Sequence, residues 1–209
     1  MEENAAFLEA IQELRNIEKK KNFDQTIDLI INLKEFDVRR EAFSTFVTLP
    51  VKIKEKKILG FFEKDSEIID TIKKDDFGRY KEKKDMKKLI KQYDFFIANA
   101  KLMPSVATSF GRVLGPVGKM PSPQLGIVAS EDDKIVESIV NKINSTVRVR
   151  VKEPSIKVPI AKESFKDEDI VKNALAFYHK VLETLPRQKD NVKNVKIKFT
   201  MSKPVNVEI

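Results

Sequence analysis

The chain has 209 residues, of which 41% are hydrophobic and 34% charged, and 40 Lys+Arg against 32 Asp+Glu leave it a net charge of +8. It contains no Cys and a single His, which excludes disulfide frameworks, cysteine-ligated zinc, iron–sulfur clusters and thiol nucleophiles. A basic chain without soft metal ligands points to a polyanion partner before it points to catalysis, and the length suits one large domain or two modest ones.

The opening MEENAAFLEA is acidic and mixed, unlike a secretory or transit signal. No apolar run approaches the ~20 residues of a membrane helix. A soluble, intracellular protein without membrane contact is expected. Asn4 is placed to cap a helix over residues 5–18, since Phe7, Ile11 and Leu14 recur at helical spacing. A basic break, Lys19 to Asn22, separates it from TIDLIINL (26–33), where Ile27, Leu29, Ile31 and Leu33 alternate as in a half-buried strand. FSTFVTL (43–49) is a second extended segment, and VKIKEKK (51–57) a charged connector.

The texture then changes. ILGFF (58–62) reads as a short buried strand, SEIIDTIKK (66–74) as a short helix opened by Ser66, and KEKKDMKKLIKQY (81–93) as a charged helix with Met86, Leu89 and Ile90 inward. DFFIA (94–98) is another strand, LMPSVATSFGRVL (102–114) a further helix, and GRVLGPVGKMPSPQLG (111–126) a shaped loop with four Gly and three Pro. Strands alternating with helices predict a parallel α/β unit, drawn here over residues 52–128. EDDKIVESIVNKIN (131–144) is amphipathic through Ile135, Ile139 and Ile143. TVRVRVK (146–152) and SIKVPI (155–160) pattern as a hairpin around Glu153-Pro154. A helix from Asp167 or Asp169 to about Leu185 follows, then a second hairpin of VKNVKIKFT (192–200) and PVNVEI (204–209). Residues 1–51 and 129–209 together predict a discontinuous α+β domain, an antiparallel sheet with helices on one face, carrying the 52–128 unit as an insertion.

The late strands carry the chemistry. Val147, Val149 and Val151 share one face of their strand while Arg148, Arg150 and Lys152 share the other. Val195, Ile197 and Phe199 likewise oppose Lys196, Lys198 and Thr200. Residues 146–160 carry +3 and residues 192–204 carry +4, so the sheet is expected to present a basic face opposite its helices. Solvation of an open antiparallel face would leave the same pattern. GPVGKM fails as a phosphate loop: Val113 stands where the first Gly is required and Met120 where Ser or Thr would hold magnesium. The acids of EDDK and KDEDI sit at helix starts, where capping accounts for them. His179 has no acid–nucleophile partner in its helix and reads as structural.

NFDQTIDLIINL, FVTLP, YDFFIANAKLMP, GRVLGPVGKMPSP and NVKIKFTMSKP, in this order, resemble the large-subunit ribosomal protein L-one family over essentially the whole chain, with LMP and GKMP closest to archaeal spellings. The resemblance implies a first domain built from both chain ends and a Rossmann-like insertion of three α/β layers. It implies a structural ribonucleoprotein role with no enzyme activity and no cofactor, in the cytoplasm on the ribosome. Its partners would be large-subunit rRNA at the mobile stalk, the deacylated tRNA leaving the exit site and, for repression of translation, the protein's own mRNA. On matching positions, Phe23, Thr26 and Asp28 and the hairpin residues Thr200, Met201 and Ser202 would meet RNA, beside the basic Arg148, Arg150, Lys152, Lys196 and Lys198. Phe23 would stack on RNA or pack beneath the site. Ser202 stands where the family usually has Gly, and Ala161 where Gly is common. A nucleotide-dependent enzyme built on the α/β insertion is the alternative from another class, and it lacks a phosphate-cradling loop after a strand.

Overall fold

The protein, represented by a computed structural model, is described over residues 2–17, 21–41, 43–80 and 82–209. The chain runs through α1 (Glu2–Ile17), β1 (Thr26–Leu33), α2 (Val38–Glu41), β2 (Ser44–Thr48), β3 (Ile58–Phe61), β4 (Asp70–Ile72), α3 (Lys83–Gln92), β5 (Phe95–Asn99) and α4 (Met103–Val117). It continues through β6 (Ile127–Val128), α5 (Asp133–Ser145), β7 (Thr146–Arg150), β8 (Ser155–Lys162), α6 (Asp167–Thr184), β9 (Val192–Phe199) and β10 (Val205–Val207). Two compact units divide it: Met1–Ile53 with Ser145–Ile209, and Lys54–Asn144.

In the first unit an antiparallel sheet has the order β10-β9-β1-β8. The alternation in β1 buries Ile27, Leu29, Ile31 and Leu33 on one face. Against them pack Phe7, Ile11 and Leu14 of α1 and Phe177 and Val181 of α6. A register step between Ile27 and Asp28 brings both Ile160 and Ala161 of β8 into the core. Pro159 lies in β8, an edge strand, where a missing N–H is tolerated. α1 starts ahead of the predicted Asn4 cap, with Glu2 and Glu3 in its first turn where acids favour the dipole. Glu18, its expected last residue, and Lys19 and Lys20 of the break lie outside the described residues. His179 sits on α6 with Nε2 3.4 Å from Glu3, whose other oxygen meets Lys189 at 2.7 Å.

The expected hairpin around Glu153-Pro154 does not form. β7 pairs with β2 in a separate two-stranded sheet, while β8 pairs with β1. The break at residues 151–154 is divided between partners: Val151 N–H donates to Phe43 O, and Pro154 O accepts from Leu33 N–H. The second predicted hairpin does form, β9 with β10.

The second unit is a parallel sheet of order β4-β3-β5-β6. Both faces of β3 and β5 are buried, as parallel strands require. Leu59, Phe61, Phe96 and Ala98 pack under Met86, Leu89 and Ile90 of α3 and Val106, Phe110 and Leu114 of α4. Lys81, the expected first residue of the charged helix, lies outside the described residues. The helix expected from Ser66 is absent, and Asp70–Ile72 instead add β4 beside β3. Ile68, Ile69, Thr71 and Ile72 are β-branched and lose side-chain freedom in a helix. α4 runs three residues past the expected Leu114, absorbing Gly115, Pro116 and Val117 into its last turn. Gly118 then closes it at φ 75°, a conformation natural to Gly, and Lys119 N–H returns to Leu114 O at 3.0 Å. The Lys119 ammonium donates to Ile90 O and Tyr93 O, 2.7 Å each, at the end of α3. GPVGKM is therefore a helix stop and a helix cap.

α5 turns Val136 and Ile143 inward, and Ile135, expected on that face, outward. A boundary at 128 gives this helix to the chain ends, whereas its residues through Asn144 cluster with the second unit. Lys56 explains the attachment, its N–H donating to Asn144 Oδ1 at 2.9 Å and its ammonium to Ile143 O at 2.7 Å. Desolvation on burial holds the Lys56 ammonium pKa below the ordinary lysine value.

Candidate nucleic-acid interface

The sheet face opposite α1 and α6 is polar. Across it Asp28 lies between Pro159 and Lys198, and Ile30 between Lys157 and Lys196. At one end, where the β9–β10 turn meets the start of β1, several expected residues come together. Thr200 donates to Thr26 O through its N–H at 3.0 Å and its hydroxyl at 3.2 Å, and Thr200 Oγ1 accepts the Thr26 N–H at 3.2 Å. Lys162 donates to the Thr26 hydroxyl at 3.1 Å. Met201 is 66% exposed and Phe23 53% exposed, two large apolar side chains that a folded protein leaves in water only at a cost. Phe23 therefore does not pack beneath the site.

Ser202 departs from the expectation. It is buried, its Oγ accepting the Phe199 N–H at 2.9 Å and donating to Lys203 O at 3.0 Å. Its backbone is not left-handed, so Ser where the resemblance expects Gly strains nothing, and its hydroxyl shapes the turn from inside. Arg148, Arg150 and Lys152 project outward as expected, but from the β2–β7 sheet or just after it. The Arg148 guanidinium lies over the Phe46 ring at 5.6 Å with Nε 3.4 Å from Ser44 Oγ. The basic strands expected to share one sheet thus belong to two. By unit the charge is even, 22 Lys+Arg against 18 Asp+Glu in the first and 18 against 14 in the second giving each +4, so residues 146–160 and 192–204 stand out as basic within a first unit whose other residues are net acidic.

Gln25 is the residue sequence reasoning missed. Fully buried, it accepts the Met201 N–H on Oε1 at 3.3 Å and donates to Glu163 Oε2 at 3.2 Å. It fixes the tip of the turn that presents Met201. Beside it Asp24 accepts both the N–H and the hydroxyl of Ser164 at 3.0 Å. Arg15 binds Asp167 at 2.8 Å and the carbonyls of Glu163 and Phe165. Arg15, Asp24, Glu163, Ser164 and Phe165 line an open cleft of about 650 Å³ with Phe23 on its wall. Only a polar residue just before an alternating strand marked Gln25, and that signal is too common to single it out.

Burial raises the Asp28 carboxyl above the usual range, against the lowering pull of Lys198. A carboxyl raised on folding holds its proton more tightly in the native state, so ionised Asp28 opposes folding above that pKa and the penalty fades as pH falls through it. Asp28→Asn is expected to raise the melting temperature at pH 7 by about 1–2 °C, solvent screening keeping the effect below about 1 kcal/mol. Scanning calorimetry from pH 7 down to pH 3 should show the difference shrinking.

A family model described as "Ribosomal protein L1p/L10e family" matches residues 14–203. Large ribosomal subunit protein uL1 of Nanoarchaeum equitans is 36% identical over 199 residues, covering 90% of this chain and 93% of that protein. The uL1 protein of Thermococcus kodakarensis is 36% identical over 212 residues, 96% of each. That of Methanocaldococcus jannaschii is 33% identical over 214 residues, 97% of this chain and 95% of the relative.

Proposed function

The chain belongs to the ribosomal protein L1p/L10e family, and from that membership we propose that its first unit holds large-subunit rRNA at the open end of the antiparallel sheet. The protein is a structural, non-enzymatic constituent of the large ribosomal subunit and works in the cytoplasm on the ribosome. Exposed Met201 and Phe23 beside the Thr26 and Thr200 hydroxyls carry the proposal. Apolar and aromatic surfaces take sugars and unstacked bases, and hydroxyls read the 2′-hydroxyls and phosphates that mark RNA. Asp28 adds an acceptor for ribose hydroxyls or base amines. Lys196 and Lys198 on the same face supply salt-sensitive attraction, and Arg148, Arg150 and Lys152 form a second basic strip. Ser202 acts indirectly, through the turn.

We propose further that the parallel unit is a reduced Rossmann-like insertion, supported by its strand order. By family analogy, the protein would contact deacylated tRNA leaving the exit site and repress its own mRNA through an RNA shaped like the ribosomal site.

Binding of a stalk fragment of large-subunit rRNA, measured against salt, tests the interface. Met201→Ala should weaken binding by about 1–2 kcal/mol, roughly 5- to 30-fold. Lys198→Ala should flatten the dependence of log affinity on log salt by about one unit. Equally tight binding to an unrelated RNA duplex at moderate salt would overturn the assignment.

A further inference from the structure

In open parallel sheets, ligands bind outside the carboxyl ends of the strands, where successive connections leave in opposite directions. In the second unit that point lies between β3 and β5, because the chain leaves β3 for β4 on one side and returns to β5 on the other. Here the protein places its own carboxylate. Glu131, shortly after β6, accepts the backbone N–H of Glu63 on Oε1 at 2.9 Å and that of Lys64 on Oε2 at 3.0 Å. The Asn99 amide at the end of β5, 5% exposed, donates to Oε1 at 2.6 Å. Asn99 is oriented in turn by the Lys101 N–H on its Oδ1 at 3.0 Å. Two consecutive backbone N–H groups and a buried amide converging on both oxygens of one anion form the kind of donor set with which loops hold phosphate. Burial alone would raise the Glu131 pKa, but the hydrogen bonds from Glu63, Asn99 and Lys64 outweigh it and hold the carboxyl below its ordinary range.

We propose that the carboxyl end of β3 and β5 is an oxyanion-binding site which the protein keeps closed with Glu131, a tethered ligand standing in for a free carboxylate or phosphate. The second unit is then barred from free oxyanions by a side chain, and not by the lack of a site. A free oxyanion enters only when Glu131 is withdrawn. The Lys64 charge, which also helps hold the Glu131 pKa down, adds to the site's attraction for an anion, although solvent and salt screen it. The site lies wholly in the second unit and stands independently of the RNA interface.

The test is thermal unfolding of full-length Glu131→Ala in sodium acetate and in sodium chloride of equal ionic strength, with inorganic phosphate as a third arm. The variant is expected to melt below wild type. Acetate at about 100 mM should raise its melting temperature by roughly 1–2 °C more than chloride does, while wild type responds to both salts alike. Phosphate should raise the variant's melting temperature more than it raises that of wild type, and an equal rise in the two would count against the proposal. Equal responses to acetate and chloride in the variant overturn the proposal, as does an acetate-specific rise in wild type. Should the variant fail to fold even in acetate, NMR of the wild-type protein decides. The amide protons of Glu63 and Lys64 must shift together with the Glu131 carboxyl as it titrates below the ordinary carboxylate range, and their indifference to that titration overturns the proposal.

Discussion

Replacing Asn173 with Ala is expected to destabilise the first unit by about 2–4 kcal/mol, because three hydrogen bonds vanish at once from a buried place. Asn173 lies on α6 with no exposed surface. Its Oδ1 accepts the Val51 N–H at 2.9 Å, and its Nδ2 donates to Val51 O at 2.9 Å and to Ile160 O at 2.8 Å. One side chain thus ties the helix to edge strand β8 and to the segment following β2. Truncation leaves one backbone donor and two acceptors without it, and orphaned groups away from water are the expensive outcome of losing a hydrogen bond. Val51 is only partly buried, so water recovers some of the loss there and the estimate stays below the full sum. Asn173→Leu separates packing from polarity: it refills the volume but restores no bond. Urea unfolding should find it nearly as destabilised as Asn173→Ala. Wild-type stability in Asn173→Leu would mean that the bonds contribute nothing net.

Phe61→Ala is expected to cost the second unit about 3–5 kcal/mol, the usual range for a large aromatic removed from a closed core. Phe61 is fully buried, with ring centroids 5.0 Å from Phe110, 5.8 Å from Phe77 and 5.9 Å from Phe96. These neighbours come from α4, from the turn before α3 and from the adjacent strand, and small rearrangements of rings anchored on separate elements do not close the void. Hydrogen exchange should show faster opening in β3 and β5 while β1 and β9 keep wild-type protection, since their core contains none of these rings. Equal acceleration in both sheets would show that the two units open as one.

Where the sequence carried a period, it was readable. The alternation in residues 26–33 and 192–200 predicts strands with one apolar face, and Phe7, Ile11 and Leu14 predict the helix that covers it; all three recur in the structure. Segments that failed lacked such a period or held conflicting signals. SEIIDTIKK offers a capping Ser and charges suited to a helix, yet Asp70, Thr71 and Ile72 join β3 as a strand once that partner exists. GRVLGPV carries two Gly and a Pro, but buried Leu114 and the Gly118 stop hold it helical. TVRVRVK and SIKVPI are strands as their patterns require; their partners are distant in sequence, and alternation does not say which edge a strand will join.

The interface divides in the same way. Alternation alone sends Lys196, Lys198, Arg148 and Arg150 to outward faces, and family resemblance brings Phe23, Thr26, Thr200 and Met201 into one expected site. That the arginines belong to a second sheet, that Ser202 turns inward and that Gln25 supports Met201 from below depend on contacts between residues up to 176 positions apart. By itself the sequence determined which residues are apolar, charged or periodic, and hence the two kinds of sheet, the inward faces and the basic strands. Only the tertiary structure decided the roles of Asn173, Gln25 and Glu131. A polar side chain acquires such a role from the unpaired backbone groups that folding brings to it, and no local pattern records where those groups will lie.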